Sequence, residues 1–350
     1  MSKLPKIMTF SCLVKKGQCE IRKRPIPVLK DYDVLIKMKA CNICTVDYQQ
    51  FMGLREHQGY PMAGGHEGCG EIIAIGSKVK DFQIGDLVAL GYQGCGHCLE
   101  CRHGNVSACE SFRQESEDGY KFGEFGFAEY TVKSVDGLYK LNPDLDPSQA
   151  AFTEPLATVI SGMKKVHVKP FETVVVIGAG PMGLLNALVA RAYGARVIVS
   201  ELLDAKLETA RQMGFLVVDS KMEDPVQRVM EITDDDGADV VIGAVANSKA
   251  YEQGISMLKK SQGRFLVFAA GHPEPELHIS ANDIHYKEME IVGTYGGTNE
   301  DFEDAAKALS TGMIDISALV EARYPLKDMQ KAYQAAVDGN YRISIVFHDE

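Results

Sequence analysis

The chain has 350 residues, enough for more than one domain and a sizeable core. Its 45% apolar and 24% charged content is that of an ordinary globular protein, and no apolar run reaches the roughly 20 residues that span a bilayer. A formal net charge of −11 argues against nucleic acid or an anionic membrane as a partner.

The start, MSKLPKIMTFSCLVKKG, carries lysines but no apolar core and no small-residue cleavage site, so a cytoplasmic protein is expected. The nine cysteines all lie before residue 110, a crowding that suits metal binding or chemistry in a reducing compartment better than a disulfide framework.

The first 150 residues read as β-rich. DVLIKMKAC, GEIIAIG, GDLVAL and AEYTVK are short apolar or alternating runs bounded by Gly, Asp and Pro. MAGGHEGCGEI is a glycine turn feeding a strand, and a cysteine-bearing loop over 91–112 interrupts the pattern. Residues 157–168 read as a helix. TVVVIGAGPMG is a β-branched strand running into a glycine turn, followed by the helix LLNALVARAYG, the strand RVIVSE and the helix DAKLETARQMG. ADVVIGAV and GRFLVFAA add further strands. Strands alternating with helices at this spacing predict a doubly wound parallel sheet. EDFEDAAKALSTG and LKDMQKAYQAAVDG are amphipathic helices, and RISIVF closes the chain as a strand. The expected organisation is an α/β protein: a β-rich domain from both ends, 1–156 and 296–350, with a nucleotide-type domain, 157–295, inserted.

Gly178, Gly180 and Gly183 have the GxGxxG spacing between a strand and a helix. The first would permit the turn, the second let a pyrophosphate approach the helix N-terminus, and the third let helix pack on strand. Pro181 and Met182 complete this loop. Glu201, 18 residues after Gly183, ends the next strand, where a carboxylate accepts hydrogen bonds from the adenosine ribose and repels a 2′-phosphate; Leu202 and Leu203 offer no arginine for that phosphate. NAD is therefore expected over NADP.

Cys95, Cys98, Cys101 and Cys109 give C-x2-C-x2-C-x7-C, the ligand set of a closed structural zinc. His97 and His103 lie inside the same loop, but four thiolates suffice. Cys44, His66, Glu67 and Glu154 supply thiolate, imidazole and carboxylates, the mixed set of an open catalytic zinc. Two zinc ions per chain are expected.

CNICTVD, GGHEGCGEI, the four-cysteine lobe, EPLA, VIGAGPMG and the C-terminal ALSTGMID…YPLKDMQKAYQAA together resemble the zinc-dependent medium-chain alcohol and polyol dehydrogenases, most closely their sorbitol and threonine dehydrogenase-like branch. The resemblance covers essentially the whole chain. It implies a GroES-like catalytic domain, an inserted Rossmann domain, an active site in the cleft between them, and a homo-dimer or homo-tetramer. It implies that Cys44 and His66 are the firmest zinc ligands, that Glu67 ligates in some members or states, and that Glu154 holds the third ligand position. Lys206 matches a basic residue that contacts the adenosine ribose, and Asp47 an acceptor that orients His66.

The resemblance fails at three places. The hydroxyl that passes the alcohol proton aligns with Val46, the distal histidine of that relay with Gln49, and a second family histidine, after EPLA, with Ser161. The implied reaction is hydride transfer between a secondary alcohol, such as a polyol, and nicotinamide, and its ketone is the product. Four accounts of the proton are open: the Thr45 hydroxyl, a water with Glu67 or Glu154 as base, a hydroxyl of the polyol itself, or a site without redox activity. Tyr48, Phe51, Arg55 and His57 are candidates for the substrate wall, the two cations as receivers of an anionic group. Epimerase-like internal redox and an NAD-binding scaffold without turnover are the alternative functions.

Overall fold

The computed structural model describes residues 4–110, 116, 118–271 and 273–347, and the chain divides into two compact units. One joins Met1–Ala157 to Gly297–Glu350; the other is Thr158–Gly296.

The first unit is built on a mixed sheet whose strands run, in spatial order, Val320–Pro325, Arg342–Val346, Asp33–Asn42, Glu67–Ile75, Leu87–Leu90 and Leu138–Lys140, with Tyr130–Ser134 also paired to Asp33–Asn42. Asp33–Asn42 is buried along most of its length, as expected of a strand with partners on both sides. Its end decides the site. Asn42 pairs with Glu67 on one neighbour and with Ser344 on the other, so the first residues of two distant strands arrive beside the segment that carries Cys44. A hairpin, Ile7–Lys15 with Gln18–Pro25, covers part of the same unit.

The second unit is the doubly wound sheet expected from the sequence. Among its described residues six parallel strands run in the order Leu216–Asp219, Arg196–Glu201, Thr173–Ile177, Val240–Gly243, Arg264–Val267 and Glu290–Gly293. Val174, Val175, Val176, Ile198, Val199, Val240, Val241 and Ile242 are buried, the signature of strands covered on both faces.

Two local readings change. The segment 157–168 is helical, but its helix is Thr153–Lys165, so Glu154 and Pro155 lie in its first turn. Proline is compatible there because the N–H it lacks would have no helical partner. The segment after Cys44, to which the sequence reading gave no element, is a helix, Thr45–Phe51, with Cys44 as its N-cap. Asp47 reaches back to accept the Cys44 backbone N–H at 3.0 Å, which closes the first turn.

Candidate functional site

The Cys44 Sγ, a His66 ring nitrogen and a Glu67 carboxylate oxygen lie within 4.8 Å of one another. The sheet causes this. Cys44 sits two residues past the end of Asp33–Asn42, and His66 and Glu67 sit where the antiparallel neighbour begins. Glu67 is fully buried; its Oε1 accepts from Arg342 Nη2 at 2.7 Å, and its Oε2 has no hydrogen-bond partner. Arg342 Nη2 also lies 4.0 Å from the Cys44 sulfur. A buried carboxylate oxygen beside a thiol and an imidazole is costly unless a cation meets it, and these donors suit zinc.

Glu154 is 7% exposed and accepts a short hydrogen bond from the Tyr92 hydroxyl. It is outside the tight group of three. Burial raises the Glu154 pKa, opposed by the charge of His66 and reinforced by that of Glu67. Burial likewise raises the Cys44 thiol and the Asp47 carboxyl. For His66 burial opposes the charged form, but the Cys44 sulfur and the Asp47 and Glu154 carboxylates outweigh it and raise its pKa. Four groups that can become anions thus face one fixed cation, Arg342, and a divalent ion would relieve the imbalance.

Asp47 does not hydrogen-bond His66. Its Oδ2 serves the helix cap instead, and the two interact through charge. Val46, Asp47, His66, Tyr92 and Glu154 line one cavity together with Glu124. Thr45, Tyr48, Arg55 and His57 are not among the described residues that line it. Phe51 is a core residue, stacked on Tyr333 with ring centroids 5.0 Å apart. Gln49 Oε1 accepts from Arg55 at 3.4 Å.

In the second cysteine group, the Sγ atoms of Cys95, Cys98, Cys101 and Cys109 lie within 4.8 Å of one another. The N–H groups of Cys95, Cys98 and Cys101 donate to the sulfurs of Cys109, Cys95 and Cys98 at 3.3, 3.3 and 3.4 Å, an arrangement that favours thiolates. Residues 111 and 112 of the lobe fall outside the described residues. His97 is turned back onto the Cys95 carbonyl. The other cysteines, Cys12, Cys19, Cys41 and Cys69, are free thiols packed in the first unit rather than metal-type ligands.

At the glycine turn, Gly178 has φ +104°, and a Cβ on Gly183 would lie 1.9 Å from the Gly178 carbonyl oxygen. Gly180 caps the helix Pro181–Ala192, and a Cβ there would meet only Lys206 Nζ, at 3.9 Å. The turn thus leaves open space above Gly180, with Pro181 and Met182 half-buried beside it and Lys206 at its edge. Glu201 Oε2 accepts the Ala179 N–H at 2.7 Å, and Oε1 accepts those of Leu202 and Leu203 at 2.6 and 3.1 Å. Its carboxylate is therefore pinned against the turn.

A doubly wound sheet with its glycine turn in one unit and two metal-type clusters in the other define a metal-dependent nicotinamide oxidoreductase. Residues 30–143 match the alcohol dehydrogenase GroES-like domain and residues 181–311 match the zinc-binding dehydrogenase domain. A sorbitol dehydrogenase of Halalkalibacterium halodurans is 32% identical over 92% of this chain and 94% of its own. An L-galactonate-5-dehydrogenase of Escherichia coli is 31% identical over 91% and 92%. Among solved structures, a benzyl alcohol dehydrogenase of Acinetobacter calcoaceticus superposes with a TM-score of 0.87 at 25% identity, covering 98% of this chain and 100% of its own. The chain belongs to the zinc-dependent medium-chain alcohol dehydrogenase family and is an alcohol/polyol oxidoreductase that works with zinc and a nicotinamide cofactor.

Two residues of this site were not singled out from the sequence. Arg342 is the one charge of a largely apolar strand, RISIVF, which was the available signal. Tyr92 gave none, because its partner is 62 residues away.

Proposed function

We propose that the protein oxidises a secondary alcohol, of the polyol type, to its ketone with NAD, and carries a catalytic zinc at Cys44, His66 and the neighbouring carboxylates and a structural zinc at Cys95, Cys98, Cys101 and Cys109. The observation that carries the reading is the buried Glu67 carboxylate, one oxygen of which lies within 4.8 Å of the Cys44 and His66 ligand atoms and whose Oε2 has no hydrogen-bond partner.

When bound, zinc supplies a Lewis acid that lowers the pKa of the alcohol, and nicotinamide supplies the hydride acceptor. The chain's own residues do the rest. Cys44 and His66 hold the metal. Glu67, neutralised by Arg342, and Glu154, tied to Tyr92, are the two candidates for a third ligand; the one not ligating stands by as proton acceptor. Val46 faces the cavity and has no proton to pass, so the proton leaves by water and these carboxylates rather than through the helix. Thr45, off the cavity, is the weaker route.

Gly178, Gly180, Pro181, Met182 and Gly183 cradle the pyrophosphate, while Glu201 and Lys206 receive the adenosine ribose. A protein of Sinorhizobium meliloti, 27% identical with a TM-score of 0.86, was solved with NADP, so the NAD preference here rests on Glu201. The reading extends to a cytoplasmic homo-dimer or homo-tetramer, which light scattering on the purified chain tests. The reaction is tested by following reduced cofactor at 340 nm with polyols, amino alcohols and sugar phosphates against NAD and NADP. Turnover of a polyol with NAD is expected, and failure with every alcohol overturns the reading.

A further inference from the structure

The cavity that holds Val46, His66 and Glu154 has a carboxylate outside both metal-type clusters, Glu124. Its side chain is 28% exposed and its Oε2 meets Lys133 Nζ at 2.5 Å. The Lys133 side chain is only 7% exposed. It comes from the strand Tyr130–Ser134, on which Thr131 and Lys133 are the inward-facing pair. An inward position on such a strand is ordinarily apolar, and burying a lysine is costly unless it is paired.

A buried ion pair is also a weak stabilising device, because an apolar pair of similar size does as well or better. What this pair does achieve is placement. Lys133 fixes the carboxylate from beneath, and a tight turn from Phe122 to Glu124, with the Glu124 N–H on the Phe122 carbonyl at 2.6 Å, fixes it from behind. The Thr131 hydroxyl donates to the Glu124 carbonyl at 3.4 Å. The cavity thereby gains a hydrogen-bond acceptor whose charge is balanced locally.

We propose that Glu124, held by Lys133, is a specificity-determining residue that accepts a hydrogen bond from a second hydroxyl of a neutral polyol. The inference rests on the oxidoreductase reading above and narrows its substrate. An ammonium gains little from a carboxylate that is already neutralised, whereas a hydroxyl needs only the acceptor. A site built to accept from a hydroxyl discriminates strongly against analogues that lack one.

The test is a ratio of kcat/KM values, which does not depend on how much of a variant folds. Xylitol and 2-butanol are assayed with NAD on the wild type, Glu124→Ala, and the double variant Glu124→Leu/Lys133→Met, which removes both charges. The expected wild type prefers xylitol to 2-butanol. In both variants this ratio falls roughly tenfold, mainly through KM for the polyol. Ratios that stay at their wild-type values in both variants overturn the proposal and make the pair structural. A wild type that oxidises xylitol no better than 2-butanol overturns it too, and a wild type inactive with every alcohol overturns the underlying reaction with it.

Discussion

Arg342 and Glu67, 275 residues apart in sequence, form an ion pair of 2.7 Å in which both side chains are almost wholly buried. They meet because their strands flank Asp33–Asn42 on opposite sides and both begin at its Asn42 end. The Arg342 guanidinium is stabilised in its charged form: burial opposes it, but Glu67, Cys44 and Glu154 outweigh burial. Arg342→Met would leave the Glu67 carboxylate without its countercharge, a loss of about 3–5 kcal/mol. Urea unfolding monitored by circular dichroism reads this directly. A loss below about 1 kcal/mol would show that the pair is not what neutralises Glu67.

The glycine turn separates folding from cofactor binding. A Cβ at position 183 would fall on the Gly178 carbonyl, whereas one at position 180 would enter open space near Lys206. Gly183→Ala is therefore expected to yield little folded protein. Gly180→Ala is expected to fold with a near wild-type melting curve and to lose NADH affinity roughly tenfold, read by fluorescence titration. Equal NADH affinity in Gly180→Ala would remove this turn from the cofactor site.

Glu201 is pinned by three backbone N–H groups and carries the expected NAD preference. In the wild type kcat/KM should favour NAD over NADP, and Glu201→Ala should shrink that ratio by roughly tenfold or more as the repulsion of the 2′-phosphate disappears. A wild type that prefers NADP contradicts the role given to this residue.

The family resemblance aligns Val46 and Gln49 with the hydroxyl and histidine of a proton relay. Val46 lines the cavity, and Gln49 is engaged by Arg55. Val46→Thr alone supplies a hydroxyl with no titrating group behind it and is expected to change kcat less than roughly threefold. Val46→Thr/Gln49→His should raise kcat and add a titration to its pH profile near the ordinary histidine range of about 6.5. A pH profile identical to that of the wild type would mean that the proton never travels through this helix.

What the sequence disclosed and what it hid follow from distance along the chain. The cysteine lobe and the glycine turn were legible because each is complete within 15 residues, Cys95 to Cys109 and Gly178 to Gly183, and its spacing alone sets its geometry. Cys44, His66 and Glu154 could be named only as a set, since no one of them is informative by itself. Arg342, Tyr92 and the Glu124–Lys133 pair were hidden because each depends on which strands lie side by side. The helix starts at Thr153, four residues before the expected 157, and Pro155 is tolerated because it sits in the first turn, where it breaks nothing. The helix Thr45–Phe51 was concealed by its β-branched Thr45 and Val46, and its capping carboxylate, Asp47, was assigned to His66 instead.

The most direct test of the catalytic centre is metal analysis of the purified wild type beside Cys44→Ser, with polyol turnover measured on the same samples. The expected wild type holds about two zinc ions per chain and oxidises a polyol with NAD, whereas Cys44→Ser keeps about one, stays folded and loses turnover. A Cys44→Ser protein that still holds two zinc ions, or a wild type that holds one and turns over at full rate, would contradict the placement of the catalytic zinc at Cys44, His66 and Glu67.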